Sequence, residues 1–368
     1  MSDRAKVRDV IQHLESIAPP GYQESYDNSG LIVGDFGDLV NGVLVTLDCT
    51  EAVVDEAIAS GCNLIVAHHP IVFKGLKRLN GHGYVERVVI KALRANVAIY
   101  AIHTNLDNVL AGVNRKICEL LGLTNLKVLQ PRRGTLSKLV TFVPSENSDV
   151  VLKALYAAGA GNIGNYSDCS FSSVGIGSFT PNEQANPALG SKGVNEKVEE
   201  VKLEVIFPSH LQDHIVRAMR NAHPYEEVAH YITSLSNENQ EVGAGMVGDL
   251  PVPLEPMAFL KGLKNSLDVQ IIRATRILDK PVSRVAVCGG AGSFLLKKAI
   301  QSGAQVFVSA DFKYHEFFDA DDRIIIADIG HYESEVHTKQ LLRDVLMKKF
   351  PTFAIIFSKT VTNPISYI

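Results

Sequence analysis

Cysteine is scarce in this sequence, and its few positions form no recognisable ligand or disulfide pattern. The five cysteines are scattered, odd in number and never spaced as C-x-x-C. Such usage is typical of a reducing compartment, where cysteine behaves as a small buried hydrophobe. The N-terminus, beginning Met1-Ser2-Asp3-Arg4, lacks the long apolar stretch of a signal peptide. No run of about 18 apolar residues predicts a membrane-spanning helix, so we expect a cytoplasmic protein without membrane contact.

Net charge is small as well, and the remaining composition is ordinary. The formal charge is −4, which disfavours broad nucleic-acid binding because such binding requires a positive surface that displaces counterions. The chain has 368 residues, of which 46% are hydrophobic and 21% are charged. This length is enough for two domains, and this composition gives no sign of large disordered parts.

Short apolar runs alternate with amphipathic stretches in the first and last thirds of the sequence. This alternation predicts right-handed β-α-β units and a largely parallel sheet, which together define an α/β fold. Asp48, with Glu51 three residues later, has the spacing of a capping box that opens a helix. We interpret residues 1–130 and 241–368 as two similar β-α-β halves of one core. The predicted strands are 42–47, 64–67 and 97–102 in the first half and 285–288, 306–309 and 323–327 in the second.

Between the two halves, from 131 to 240, the character of the sequence changes. The predicted order is a strand, a helix, a glycine- and serine-rich hairpin region, a strand, a helix and a strand. This order suits a small ferredoxin-like α+β domain. We expect it to be inserted into a loop of the core, which is possible when the ends of the inserted chain lie close together.

Histidines and carboxylates concentrate in three segments, and each segment follows directly on an apolar strand. The segments are His68-His69-Pro70, His103-Thr104-Asn105-Leu106-Asp107 and Gly330-His331-Tyr332-Glu333-Ser334-Glu335. Because the carboxyl ends of parallel strands line a ligand-binding crevice, we expect the three segments to meet at one edge of a sheet. Nitrogen and oxygen ligands without thiolate favour zinc, manganese or iron(II).

Each segment taken alone has a simpler structural explanation. His331 and Glu335 have the spacing of an ordinary helical ion pair, and Asp107 could cap a helix. Their coincidence after three separate strands nevertheless favours a shared metal site. His103, Asp311 and His315 are candidates for proton transfer or for orienting the ligands, although a purely structural role fits these three equally well.

Together these motifs resemble the NIF-three-like family, whose members are often labelled GTP cyclohydrolase type 2 homologs. The matching stretches are 27–31, 68–70, 103–107, 288–292, 311–315 and 330–335, which span nearly the whole chain outside the insert. The resemblance implies two divalent metal ions per subunit, with zinc expected first and manganese or iron as alternatives. The ligands it implies are His68, His69, Asp107, His331 and Glu335. It also implies a toroidal homohexamer, and residues 161–167 and 222–227 resemble the PII/CutA-like module of longer members.

The expected function is metal-dependent hydrolysis of a nucleotide or a related small molecule, with His103 or His315 transferring protons. Nothing in the residues themselves specifies GTP, since neither a P-loop nor a guanine-reading N-K-x-D segment is present. The alternative function is a metal-binding hexameric scaffold or regulator, whose insert senses a small molecule or a protein.

Overall fold

The computed structural model describes residues 5–368, and the chain divides into two compact units. One unit, here called the core unit, runs to Pro131 and resumes from Glu241 to Ile368; the other, the inserted unit, is Arg132–Gln240. The expectation of no signal peptide concerns the segment that begins Met1-Ser2-Asp3-Arg4, and these four residues lie outside the described residues. Within residues 5–368, no helix combines the length and the apolarity needed to cross a lipid bilayer.

Strands and helices alternate along most of the chain. In chain order the strands are β1 (Gly30–Val33), β2 (Gly42–Thr46), β3 (Leu64–Ala67), β4 (Ala98–Ala101), β5 (Thr124–Arg133), β6 (Leu136–Pro144), β7 (Ser170–Phe179), β8 (Glu196–Pro208), β9 (His230–Leu235), β10 (Glu238–Leu254), β11 (Arg273–Ala274), β12 (Val282–Ala291), β13 (Val306–Ala310), β14 (Ile325–Asp328) and β15 (Ala354–Phe357). The helices are α1 (Val7–Ile17), α2 (Glu51–Ala59), α3 (Tyr84–Arg94), α4 (Thr104–Asp107), α5 (Val113–Leu120), α6 (Ser148–Ala157), α7 (Gln212–Ala222), α8 (Pro256–Ser266), α9 (Leu296–Gln301), α10 (His331–Glu335) and α11 (Thr338–Lys349).

The first sheet of the core unit is built around the strands predicted in the first half of the sequence. Its order is β1-β4-β3-β2-β15, in which β15, β2, β3 and β4 are parallel and β1 is antiparallel. Both β2 and β3 are buried along their whole length, as expected for parallel strands covered on both faces by helices. The C-terminal strand β15 pairs with β2, so the last part of the chain completes the sheet of the first half.

The second sheet of the core unit contains the strands predicted in the second half. Its order is β11-β14-β13-β12-β10-β5, in which β12, β13 and β14 are parallel, β10 is antiparallel to β12 and β11 is antiparallel to β14. The expectation that all three histidine segments meet at one edge of one sheet is therefore wrong. Two segments follow strands of the first sheet, and the third follows β14 of the second sheet.

A shared hydrophobic core explains why the two sheets face each other. Side chains alternate between the faces of a strand, and Val43 of β2 and Val285 of β12 belong to the same buried cluster. Their neighbours Leu44 and Ala286 point the opposite way, into separate clusters beneath each sheet. One face of each sheet is thus buried against a common interior, and the strand ends that carry the histidines are held close together.

The inserted unit forms a sheet of its own. Its elements follow the order β6, α6, β7, β8, α7 and β9, and the antiparallel sheet has the order β7-β8-β6-β9. The two helices cover one face through a buried cluster that includes Leu139, Val151, Leu203 and Met219. Its relationship to the PII/CutA-like module stays a prediction.

The chain after β15 is anchored to α2 by a single carboxylate. Glu56 accepts hydrogen bonds from the Ser358 hydroxyl (2.7 Å), the Lys359 amide (2.6 Å), and the amide and hydroxyl of Thr360 (3.2 and 2.8 Å). Further along, the Thr362 hydroxyl donates to the Asp48 carboxylate (2.6 Å). The bonds to Glu56 thus position the segment 358–362, which contacts Asp48 just after β2.

Replacing Glu56 by glutamine is expected to lower the free energy of unfolding at neutral pH by about 1 kcal/mol and to loosen the chain from 358 onwards. Burial raises the pKa of Glu56, but the bonds from Lys359, Ser358 and Thr360 outweigh it and lower that pKa from 4.5 to about 2. A lowered pKa gives stability that is present above pH 4.5 and is lost as the pH falls towards 2. The difference between wild type and variant, measured by chemical denaturation, should therefore shrink over that range.

The matched control is Asp55→Asn, one residue away on the same helix. Asp55 is exposed and makes a surface ion pair with Lys91 (2.6 Å), a kind of contact that contributes little. A loss in Asp55→Asn as large as that in Glu56→Gln, or a difference that persists at pH 2, would contradict the anchoring role.

Candidate metal centre

The six side chains that define the site come from both core sheets. His68 and His69 directly follow β3, and His103 precedes α4, which ends at Asp107. His331 begins α10 and Glu335 ends it, one helical turn later. Gly330 precedes α10, and its φ of 91° lies in the left-handed region that glycine tolerates best.

Each of the four histidines is held through its Nδ1 atom by an oxygen acceptor. The Nδ1–oxygen distances are 2.8 Å from His68 to the Ile102 carbonyl, 2.7 Å from His69 to Asp48, 2.8 Å from His103 to Asp27 and 2.6 Å from His331 to Asp311. A proton on Nδ1 satisfies each of these acceptors and leaves Nε2 as the ring nitrogen that could bind a metal ion. This is the arrangement that orients metal-binding histidines in proteins.

The Nε2 atoms of three histidines lie around the two oxygens of Glu335. Glu335 Oε2 is 2.9 Å from His69 Nε2 and 3.0 Å from His331 Nε2, whereas Oε1 is 3.9 Å from His68 Nε2. Asp107 Oδ1 is 3.6 Å from His68 Nε2 on the same side. Donor atoms of three overlapping groups lie within 4.8 Å of one another and could hold a metal ion. The groups are His68, His69 and His103; His69, His331 and Glu335; and His68, Asp107 and Glu335.

Two donor atoms of the site are buried without any hydrogen-bond partner among the described residues. These are His68 Nε2 and Asp107 Oδ1. An unpaired buried polar atom is costly, and these two belong to one of the three donor groups. A cation would satisfy both atoms at once, so the donor set fits a bound metal ion.

Protons balance the negative charge of the site in the metal-free protein. Burial lowers the pKa of His69, but hydrogen bonds to Asp48 and Glu335 outweigh it and raise that pKa to about 10. The pKa of His331 rises to about 9 in the same way, because bonds to Glu335 and Asp311 outweigh burial. Glu335 is correspondingly held ionised: burial raises its pKa, but the bonds from His331 and His69 lower it well below its usual value.

The buried histidine behaves in the opposite way. Burial lowers the pKa of His68 to about 3 despite the nearby charge of Glu335, so its imidazole is neutral at physiological pH. A neutral imidazole with a free Nε2 is the form that binds metals. His68 is therefore ready to coordinate without losing a proton.

The three residues expected to transfer protons occupy different surroundings. The ring of His103 lies edge-on to both His68 and His69, with centroids 5.3 Å apart in each case. Asp311 accepts from His331 and so orients that ring. His315 packs against Tyr314 and Phe318 instead, and it belongs to none of the donor groups found among residues 5–368.

Asp27 and Asp48, which orient His103 and His69, are not among the site residues predicted from the sequence. The expectation that Asp48 caps α2 is wrong: the cap is Thr50, whose hydroxyl accepts from the Val53 amide, and Asp48 is thereby left to hold His69. The sequence does contain a signal for Asp48, because this residue directly follows the predicted strand 42–47, which pairs with β3. Asp27 had a weaker signal, because its partner His103 is 76 residues away.

Gly290 packs against the Glu335 carboxylate, so a substitution at Gly290 tests whether the position of Glu335 matters for metal binding. A Cβ atom at Gly290 would lie 2.4 Å from Glu335 Oε1 and 3.2 Å from the His331 ring. We expect Gly290→Ala to displace Glu335 and weaken divalent metal binding by about tenfold or more, as measured by metal titration.

The control is Gly303→Ala. Gly303 has a similar positive φ (78° against 62° at Gly290) but nothing within 4 Å of the added carbon. Both variants share the backbone strain of about 1 kcal/mol, so only the change at Gly290 should alter metal affinity. Equal affinities in the two variants would show that Gly290 does not position Glu335.

This fold and site define a class of protein. Its members have an α/β core and clustered histidines and carboxylates that could hold a metal ion. The chain belongs to the Duf34/NIF3 (NGG1p interacting factor 3) family, whose model matches residues 5–364, and the family resemblance inferred from the motifs is confirmed.

Relatives match over the full length of the chain. The GTP cyclohydrolase 1 type 2 homolog of Halalkalibacterium halodurans is 38% identical over 364 residues, covering 98% of each chain. The homolog of the same name from Bacillus subtilis is 38% identical over 374 residues and covers all of both chains. The crystal structure of a Bacillus cereus protein related to NIF3 matches with a TM-score of 0.88 at 39% identity, also over both full lengths.

Proposed function

We propose that this protein is a hydrolase that depends on two divalent metal ions and acts on a nucleotide or a related small molecule. The observation that carries the proposal is the common orientation of four imidazoles, each tied through Nδ1, which leaves Nε2 as the ring nitrogen that a ligand could use. Two carboxylates, Asp107 and Glu335, share the same small space. Nitrogen and oxygen donors without thiolate suit zinc first, with manganese or iron(II) as alternatives.

Two ions, and not one, are supported by the way Glu335 divides its oxygens. Its Oε2 atom faces His69 and His331, while its Oε1 atom faces His68, beside Asp107. Glu335 would thus belong to both ligand sets and join them, with His69 and His331 on one side and His68 and Asp107 on the other. Bound divalent cations would supply Lewis acidity for polarising a substrate oxygen and for making water acidic near neutral pH.

His103 is the residue that we propose for proton transfer. Burial raises the pKa of its partner Asp27, but hydrogen bonds from His103 and Thr104 outweigh it and lower that pKa below its usual range. The ionised Asp27 accepts from Nδ1–H of His103 and so keeps Nε2 available as a proton acceptor. Asp311, by contrast, would act by orienting His331.

A nucleotide substrate is suggested by the names of the relatives from Halalkalibacterium halodurans and Bacillus subtilis.

The test compares two histidine variants after metal analysis. Protein purified without added ions should contain close to two divalent ions per chain, and a panel of purine nucleotides that includes GTP should yield a hydrolysed product. Because neither of the two proposed ligand sets includes His103, His103→Gln should keep the metal but lose turnover by on the order of 100-fold or more. His315→Gln, whose ring packs outside the donor groups, should stay near wild type.

Other outcomes would overturn the proposal. Full metal content without turnover on any nucleotide would favour the metal-binding scaffold or regulator. Less than one ion per chain, with no further loss in His68→Ala, would remove the basis for a metal enzyme. The toroidal homohexamer implied by the family resemblance stays a separate prediction, which light scattering of the purified protein tests.

A further inference from the structure

The inserted unit contains a cavity of about 620 Å³ whose walls combine aromatic rings with a buried carboxylate. It lies on the face of the sheet opposite the two helices. Along β8, Leu203 and Val205 point into the core beneath α6 and α7, so Glu200 and Lys202 point to the other face, where both line the cavity. Its volume is within the range of roughly 300–1,000 Å³ that is usual for small-molecule sites.

Glu200 is an unusual residue to find in this wall. Only 8% of it is exposed, and no lysine, arginine or histidine of the described chain forms an ion pair with it. Lys202, two residues away on the same face, pairs with Glu204 instead. The neighbouring strand makes room for the carboxylate, because a Cβ atom at Gly177 would lie 2.0 Å from Glu200 Oε2.

A second polar group in the cavity wall also lacks a partner. The hydroxyl oxygen of Tyr225 is buried beside the Glu200 carboxylate and forms no hydrogen bond of normal geometry with any described residue. Burial, and then the charge of Glu200, raise the pKa of Tyr225 to about 12, so the phenol keeps its proton. Glu200 and Tyr225 are therefore two polar groups within the cavity wall, and each would gain from a ligand.

The remaining walls favour a positive charge on that ligand. The rings of Phe142 and Tyr231 meet edge to face at 5.7 Å, and those of Phe179 and Tyr225 lie 6.2 Å apart; all four residues line the cavity. The faces of aromatic rings attract cations. Glu226 and Glu227 add further negative charge to the lining, which disfavours phosphates and carboxylic acids.

We propose that this cavity binds a small organic cation, an ammonium or guanidinium group on an apolar body, which pairs with Glu200 between the aromatic rings. A buried carboxylate without a counter-ion is costly, and a cationic ligand removes that cost. The apolar body would rest on the segment that closes the cavity, which includes Pro187 and Leu189. This site is separate in chemistry and in residues from the metal centre.

The experiment titrates the full-length protein with three probes of similar shape by calorimetry at neutral pH. 2-Phenylethylamine carries a positive charge, 2-phenylethanol is neutral and phenylacetate is negative. We expect saturable binding of the amine and at least tenfold weaker binding of the other two. Glu200→Gln should weaken amine binding at least tenfold, equivalent to about 1.4 kcal/mol.

The control is Glu199→Gln, which removes the same charge from the adjacent residue. Glu199 is exposed, and because side chains alternate along β8 it points to the face opposite Glu200, so this variant should bind the amine like wild type. Tyr225→Phe, a change that keeps the ring, should bind the amine severalfold more weakly than wild type. This variant tests the proposal if Glu200→Gln does not fold. The proposal is overturned if phenylacetate binds as well as the amine, if no amine binding occurs at millimolar concentrations, or if both glutamate variants lose affinity equally.

Discussion

Replacing Glu335 by glutamine is expected to strip the protein of its divalent cations. Glu335 belongs to two of the three donor groups, and its two oxygens face different histidines. An amide of the same shape supplies one weak oxygen donor and no charge. The loss of affinity should therefore reach or exceed the roughly 100-fold that marks the upper range for residues that only support a ligand. Elemental analysis after dialysis, together with competition titrations, measures it.

Glu333→Gln is the control for this experiment. Glu333 lies on the same short helix and is similarly buried, with 9% exposed against 2% for Glu335. Its carboxylate accepts from the Asn363 amide at 3.1 Å, and it belongs to none of the donor groups found in residues 5–368. This variant should keep its metal. Full metal content in Glu335→Gln, or equal losses in both variants, would contradict the proposed two-ion arrangement.

The parts of the fold that could be predicted from the sequence are those whose cause is local. The strands β2, β3 and β13 are short, wholly buried apolar runs between amphipathic helices, and such a pattern is visible without coordinates. Sheet membership is not local. The run that forms β15 reads like any other short strand, yet it pairs with β2, some 300 residues earlier in the chain. The pairing of β15 with β2 is decided only by the packing of the two sheets around one hydrophobic core.

The same distinction explains what the sequence revealed of the site. Histidines directly after predicted strands stand out, because the ends of such strands are where ligands bind. The oxygens that orient them do not stand out. Asp48 matches a capping box with Glu51 as well as it matches a partner for His69, and the choice depends on Thr50 capping the helix instead. The carbonyl that holds His68 belongs to Ile102, and no side-chain pattern can identify a backbone oxygen.

Asp107→Asn should have effects of opposite sign on the metal-free and the metal-loaded protein. Burial, and then the charge of Glu335, raise the pKa of Asp107 well above its usual value, and its Oδ1 atom has no hydrogen-bond partner in the described structure. A carboxyl with a raised pKa destabilises the folded state increasingly as the pH rises above the unfolded value of 3.8. At neutral pH and without metal, the asparagine variant should therefore unfold at a temperature no lower than that of wild type.

Saturating metal should reverse this order. Wild type gains stability from any ligand that binds only the folded state, about 2.7 kcal/mol at a hundred times the Kd, and the variant loses most of that gain with its ligand atom. Asp27→Asn is the contrasting control, since Asp27 has a lowered pKa and accepts from His103 and Thr104; it should destabilise the metal-free protein as well. Thermal unfolding with and without metal measures wild type and both variants. If Asp107→Asn lowers the stability of the metal-free protein as much as Asp27→Asn does, Asp107 is a structural residue, and the idea that its carboxylate is kept for a cation fails.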